Sequence, residues 1–179
     1  MVRKWLTMAS ILTALFNMER AMRVAILVIT LIAFPALCAA ASPGVEMSIQ
    51  DQNKKLVRDF YELAFNAHKP TEAAKKYIGD RYIQHNPFVP NGAAAFYEYF
   101  EGEFKKHPKS HVTIYRVLAD GDLVALHLNS KLDDSDPGRA IVDIFRVENS
   151  KIVEHFDVIQ QVPDKTANGN TMFGGDNAK

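Results

Sequence analysis

The side chains in this sequence best suited to moving a proton are Asp143 and His127, with His85 as a further candidate beside them. Asp143 lies within Ile141-Val142-Asp143-Ile144-Phe145. A carboxylate among apolar side chains is costly unless it is paired or protonated. Desolvation raises its pKa and a neighbouring imidazolium lowers it. A carboxyl group held in that tension can act as a general acid or base near neutral pH. Strand arithmetic suggests its neighbours. If Asn149-Ser150 is a two-residue turn, Glu148 faces Lys151, Asp143 faces Phe156, and Ile141 faces Val158. Opposed residues share a sheet face. Ile141, Asp143, Phe145, Phe156 and Val158 then form an inner, apolar set. Val142, Ile144, Arg146, Val153, His155 and Asp157 form an outer one. Pairing Lys131 with Arg139 sets His127 opposite Asp143, and pairing Ala119 with Asp122 adds Ile114 and Arg116 to that inner face. The expected site is therefore a catalytic pair, Asp143 and His127, with His85, Arg116, Phe145 and Phe156 around a bound molecule. Alternation sets Tyr82 apart from His85 and assigns it to packing.

Other chemistries find less support. Cys38 is the single cysteine, which excludes a disulfide framework and a cysteine zinc site. His107 and His111 are four apart, but Pro108 keeps them off one continuous helix. No metal ligand set is expected from the spacing of the six histidines, and no cofactor is expected. Phosphate-binding glycine loops and nucleophile elbows are missing from the sequence. The formal net charge is zero, so a broad basic footprint for nucleic acid is not expected.

The elements that must position these residues can be read from periodicity. With 179 residues, 47% hydrophobic and 23% charged, the chain has the composition of a globular domain. Leu56, Val57, Phe60, Leu63, Ala64 and Ala67 predict an amphipathic helix over 50–67, with Asp51 as its cap. A shorter helix is expected from Thr71 to Ile78, and a third from Ala93 to Lys106. Arg81 to Asn86 reads as extended, stopped by Pro87. Four strands are expected at His111–Leu118, Leu123–Lys131, Arg139–Val147 and Lys151–Gln161. Helices followed by an antiparallel meander make an α+β domain with helices on one sheet face. The domain is placed at 50–162, after a linker at 42–49 and before a polar tail at 163–179 in which Met172-Phe173 could dock.

The first 41 residues follow another rule. They carry Arg3, Lys4, Arg20 and Arg23 against one acid, Glu19. Val24 to Leu37 is uncharged and leads into Ala39-Ala40-Ala41. That is the pattern of a secretory signal peptide cut after Ala41, with Met18 or Met22 as alternative starts. A periplasmic or secreted protein with no stable membrane insertion after cleavage is expected.

The order of elements, the segment Tyr82-Ile83-Gln84-His85-Asn86-Pro87 and the hairpin from Asp143 to Asp157 resemble the SnoaL-like polyketide cyclase family of the nuclear-transport-factor-2-like superfamily. The resemblance implies a cone in which about three N-terminal helices pack on a curved antiparallel sheet around an apolar cavity. It also implies cofactor-independent acid–base chemistry, of aldol, cyclase or isomerase type, on a small apolar carbonyl compound. It implies a homodimer formed through the outer sheet face. The alternative is a secreted protein of the same fold that binds a small ligand, or acts as a scaffold, without turnover.

Overall fold

The computed structural model describes residues 46–174, so the expected leader and the first part of the linker lie outside the described residues. Helix α1 spans Ile49–Tyr61 and buries Val57, Phe60 and Tyr61. Its cap is Ser48, whose hydroxyl accepts the Asp51 N–H at 3.1 Å, so the expected cap Asp51 is instead a first-turn acid. The helical path continues to Asn66 as a π-helical turn, Glu62–Asn66. Helix α2, Pro70–Tyr77, starts with Pro70 in the first turn, where the missing N–H costs nothing. Helix α3 spans Ala93–Lys106 and follows the turn through Pro90-Asn91-Gly92.

Five strands form one sheet that does not close: β1 (Ile78–Gln84), β2 (His111–Asp120), β3 (Leu123–Lys131), β4 (Arg139–Glu148) and β5 (Lys151–Gln161). Their order is β1-β5-β4-β3-β2. Strands β2 to β5 form the expected antiparallel meander, but β1 joins parallel to β5. The sheet is therefore mixed rather than wholly antiparallel. The helices cover one face, and Phe60 makes edge contacts with Tyr77 and Phe145 at ring-centroid distances of 6.3 and 6.0 Å. Val124, Leu126, Leu128 and Ile152 are fully or almost fully buried beneath them. Burying a side chain of this size contributes about 1.5–3 kcal/mol. The result is an α+β fold of three helices on a five-stranded sheet.

Register is where the structure departs from the arithmetic, and a one-residue change transfers every side chain to the other face. The Asn149-Ser150 turn has two residues, both with positive φ (50° and 58°), as a type I′ hairpin requires. Glu148 faces Lys151 and Val147 faces Ile152 as expected, but the pairing then shifts so that Arg146 faces Glu154. Val153 is the extra residue of this bulge. It is buried and packs close to Gly79 of β1, within 3.3 Å of where a β-carbon would stand. Beyond the bulge Phe145 faces His155, Ile144 faces Phe156 and Asp143 faces Asp157. Ser130, not Lys131, faces Arg139, which puts Leu126 opposite Asp143 and His127 opposite Val142. In β2 the pairing shifts between Ile114 and Arg116, so Ile114 faces Leu128 while Arg116 faces His127.

Candidate functional site

Asp143 lies on the inner face and is 6% exposed. It sits in a pocket of about 380 Å³ between the sheet and the helices, within the range of small-molecule sites. Tyr61, Phe65, Phe96 and Phe100 supply aromatic walls from the helical side, and Phe145 lines the pocket from β4. Tyr82, Gln84, His155 and Asp157 complete its polar end. Among these is one of the expected substrate contacts, Phe145.

Two register shifts decide which groups meet Asp143. His155 places Nε2 3.2 Å from the Asp143 carboxylate, while Asp157 is the cross-strand neighbour. Both were expected on the outer face, and the Val153 bulge turns them inward. The expected partner His127 points the other way. It accepts a hydrogen bond from Arg116 Nη1 at 3.0 Å and stacks against Phe173. Arg116, expected in the pocket, also donates to the Phe173 carbonyl at 3.0 Å on the outer face. His85 is likewise outside, 2.8 Å from Glu154 and stacked on Phe156 at 4.1 Å. Phe156 is therefore an outer-face residue rather than a pocket contact, and Val158, 71% exposed, is outside too.

The hydrogen bonds around His155 define its proton. The Asn86 backbone N–H donates to Gln84 Oε1 at 2.9 Å, so that atom is an acceptor. His155 Nδ1 lies 2.8 Å from the same oxygen and must carry a hydrogen. Nε2 is then the nitrogen that meets Asp143. Asp143 and His155 consequently share one proton, held either as a carboxylic acid beside imidazole or as a carboxylate beside imidazolium. Asn86 is oriented in the same way: its Oδ1 accepts the Phe88 N–H at 2.9 Å, and its Nδ2 donates to both Asp157 oxygens at 3.0 and 2.7 Å. The short segment Gln84–Asn86 thus positions both β5 side chains.

Burial drives the Asp143 pKa upward, His155 opposes this by hydrogen bond and charge, and Asp157 adds to the rise. The Tyr82 phenol is also pushed far up, first by burial and then by the Asp157 charge, so it remains protonated. Tyr82 is 5% exposed, and among the described residues no side chain accepts its hydroxyl proton. One ligand atom from each of Asp143, His155 and Asp157 lies within 4.8 Å of the others. This is the donor set with which the described residues could hold a cation, and the sequence spacing did not offer it. The signal for it was Ile152-Val153, two successive buried apolar residues that break strand alternation.

Comparison with known proteins places the fold. A family model described as the SnoaL-like domain matches residues 57–155. No curated protein matches the chain. Among solved structures, a SnoaL-like protein of unknown function from Burkholderia thailandensis is 18% identical, with 64% of this chain and 99% of that chain covered and a TM-score of 0.53. A protein classed as a polyketide cyclase from Bacillus cereus is 20% identical, covering 63% and 78%, with a TM-score of 0.53. Another so classed, from Acidithiobacillus ferrooxidans, is also 20% identical, covering 63% and 91%, with a TM-score of 0.51. At these identities the similarity defines the fold.

Proposed function

The chain belongs to the SnoaL-like domain family, and on that premise we propose that it is a cofactor-independent enzyme that moves a proton alpha to the carbonyl of a small apolar compound. The observation that carries this reading is the single proton shared by buried Asp143 and His155 Nε2, with the tautomer held by Gln84. When that proton resides on His155, Asp143 is a carboxylate with Oδ1 bound by Nε2–H. Its other oxygen accepts no hydrogen bond among the described residues and is available to a ligand. Burial keeps this carboxylate more basic than one in water. It removes an α-proton, leaving an enolate. The oxygen of that enolate needs a donor, and Tyr82 supplies an un-ionised hydroxyl at the same end of the pocket. Return of the proton from Asp143 to a different carbon completes an isomerisation. Attack of the enolate carbon on a second carbonyl, with the proton held by Asp143 passing to the alkoxide that forms, completes an aldol-type cyclisation. His155 takes the place expected for His127, and Tyr82 takes the donor role that the sequence left unassigned.

The test is deuterium exchange. Apolar ketones such as 2-tetralone are incubated in D2O with EDTA, and loss of the α-proton signal is followed by NMR. The wild-type chain is expected to accelerate exchange, with Asp143→Asn abolishing the acceleration and Tyr82→Phe reducing it. One positioned general base contributes about 10²–10⁴-fold. Bound ketone without accelerated exchange would instead describe a binding protein.

A further inference from the structure

Building on the proton-transfer reading of this pocket, we propose that its substrate carries a carboxylate in addition to the carbonyl, and that Arg139 at the open end of β4 holds that carboxylate. Arg139, Ile141 and Asp143 alternate along one strand and all line the pocket. Asp143 stands at the polar end and Arg139 four residues away, a separation of about 13 Å along the strand. Among the described residues the Arg139 guanidinium has no ion pair and no hydrogen bond. The acids nearest to it in charge are already engaged: Glu103 with Lys106 at 2.8 Å, and Asp136 with the N–H groups of Leu132 and Gly138 at 2.9 Å each.

The backbone that carries Arg139 is firmly placed. Gly138 has φ of +86°, and a β-carbon there would stand 2.1 Å from Asn129 Oδ1. The Gly138 carbonyl accepts from Val162 N and from Gln161 Nε2, both at 3.0 Å. Ser130 of the neighbouring strand β3 faces Arg139 and lines the same pocket.

The charge along the pocket orients such a substrate. The Asp143–His155 pair is neutral overall, so Asp157, to which the neutral Asn86 amide donates, makes the polar end electronegative. A carboxylate is repelled there and attracted to Arg139, whose planar fork matches its two oxygens. The apolar body then lies against Phe96 and Phe100, and the carbonyl is left beside Asp143 and Tyr82.

The probes are 5-oxo-5-phenylpentanoate and its methyl ester, equal in shape and different in charge. Binding to the full chain is measured by calorimetry, and α-deuterium exchange of the same molecules by NMR. The acid is expected to bind wild type about tenfold more tightly than the ester. Arg139→Gln should erase that preference, Arg139→Lys should restore part of it, and Asp143→Asn should retain it, with circular dichroism confirming that each variant is folded. Equal binding of acid and ester, no binding of the acid at millimolar concentration, or an unchanged preference in Arg139→Gln would overturn the proposal. A preference that behaves as described without any α-exchange by wild type would leave Arg139 as the anchor and refute the proton-transfer reading instead.

Discussion

Replacing Asp143 with asparagine separates a catalytic carboxylate from a structural one before any substrate is known. Asp143 is buried, its pKa is raised by desolvation, and its hydrogen-bond partner is His155. A carboxyl group whose pKa is higher in the fold than in the unfolded chain binds protons more tightly when folded. Stability is then greatest below the unfolded value of about 3.9 and falls as pH rises towards the folded value. Each tenfold of added proton affinity costs the ionised fold about 1.4 kcal/mol at neutral pH. Asparagine keeps the shape and carries no charge. It also keeps the contact, because the Gln84-bound tautomer leaves His155 Nε2 with a lone pair that an amide N–H can reach. The lost charge assistance, about 1 kcal/mol, is smaller than or comparable to the relief of charge burial. Asp143→Asn should therefore melt at the same temperature as wild type or higher at pH 7, by up to about 5 °C. The difference should widen as pH rises from about 4 to 7. Differential scanning calorimetry across that range reads both effects. A loss of more than about 2 kcal/mol at pH 7, or a gap that narrows with rising pH, would mean that the ionised carboxylate supports the fold, and the reasoning would fail.

Other expectations follow from the outer face and the termini. Phe173 is 8% exposed and stacks on Tyr115 at 4.6 Å, so Phe173→Ala should destabilise the domain by about 1–3 kcal/mol in urea melts, and no change would show that the tail contributes nothing. The pKa of His127 is lowered first by burial and then by Arg116, so the neutral form is favoured in the fold and tail docking should weaken as pH falls below about 6.5, seen as rising protease cleavage after residue 162. Leu118, Val142 and Val158 are 66%, 41% and 71% exposed on the outer face, and we propose that a second copy covers them; light scattering should give a dimer that Val158→Arg dissociates, and a monomeric wild type would refute it. Export with cleavage after Ala41 is likewise proposed from the sequence, and N-terminal sequencing from the native host should find Ser42 first.

The elements were legible because their signals are local. The 3.6-residue spacing through Val57, Phe60 and Ala64, the Pro90-Asn91-Gly92 turn and the Asn149-Ser150 hairpin each specify structure within a few residues. The parallel pairing of β1 was not legible, since it depends on a partner about 70 residues away. The site was half legible for a related reason. Asp143 reached the inner face, as the apolar Ile141 and Phe145 around it demanded. Its partner was misassigned because hairpin arithmetic cannot see a bulge. Alternation within β3 did carry the information: Val124, Leu126 and Leu128 form the buried row, and His127 falls between them. A second clue was the His155-x-Asp157 pair itself, whose spacing suits one strand face and which needed only the Val153 insertion to point inward.

The central claim is that Asp143 and His155 share one proton while Gln84 holds the opposite nitrogen. Nitrogen-15 NMR of the His155 ring, together with carbon-13 titration of the Asp143 carboxyl, reads this directly. The account predicts a hydrogen on Nδ1 at neutral pH, a hydrogen bond between Nε2 and the Asp143 carboxyl, and an Asp143 carboxyl that ionises above the ordinary aspartate value of about 3.9. A neutral His155 protonated on Nε2, with Asp143 ionising at or below that value, would contradict it.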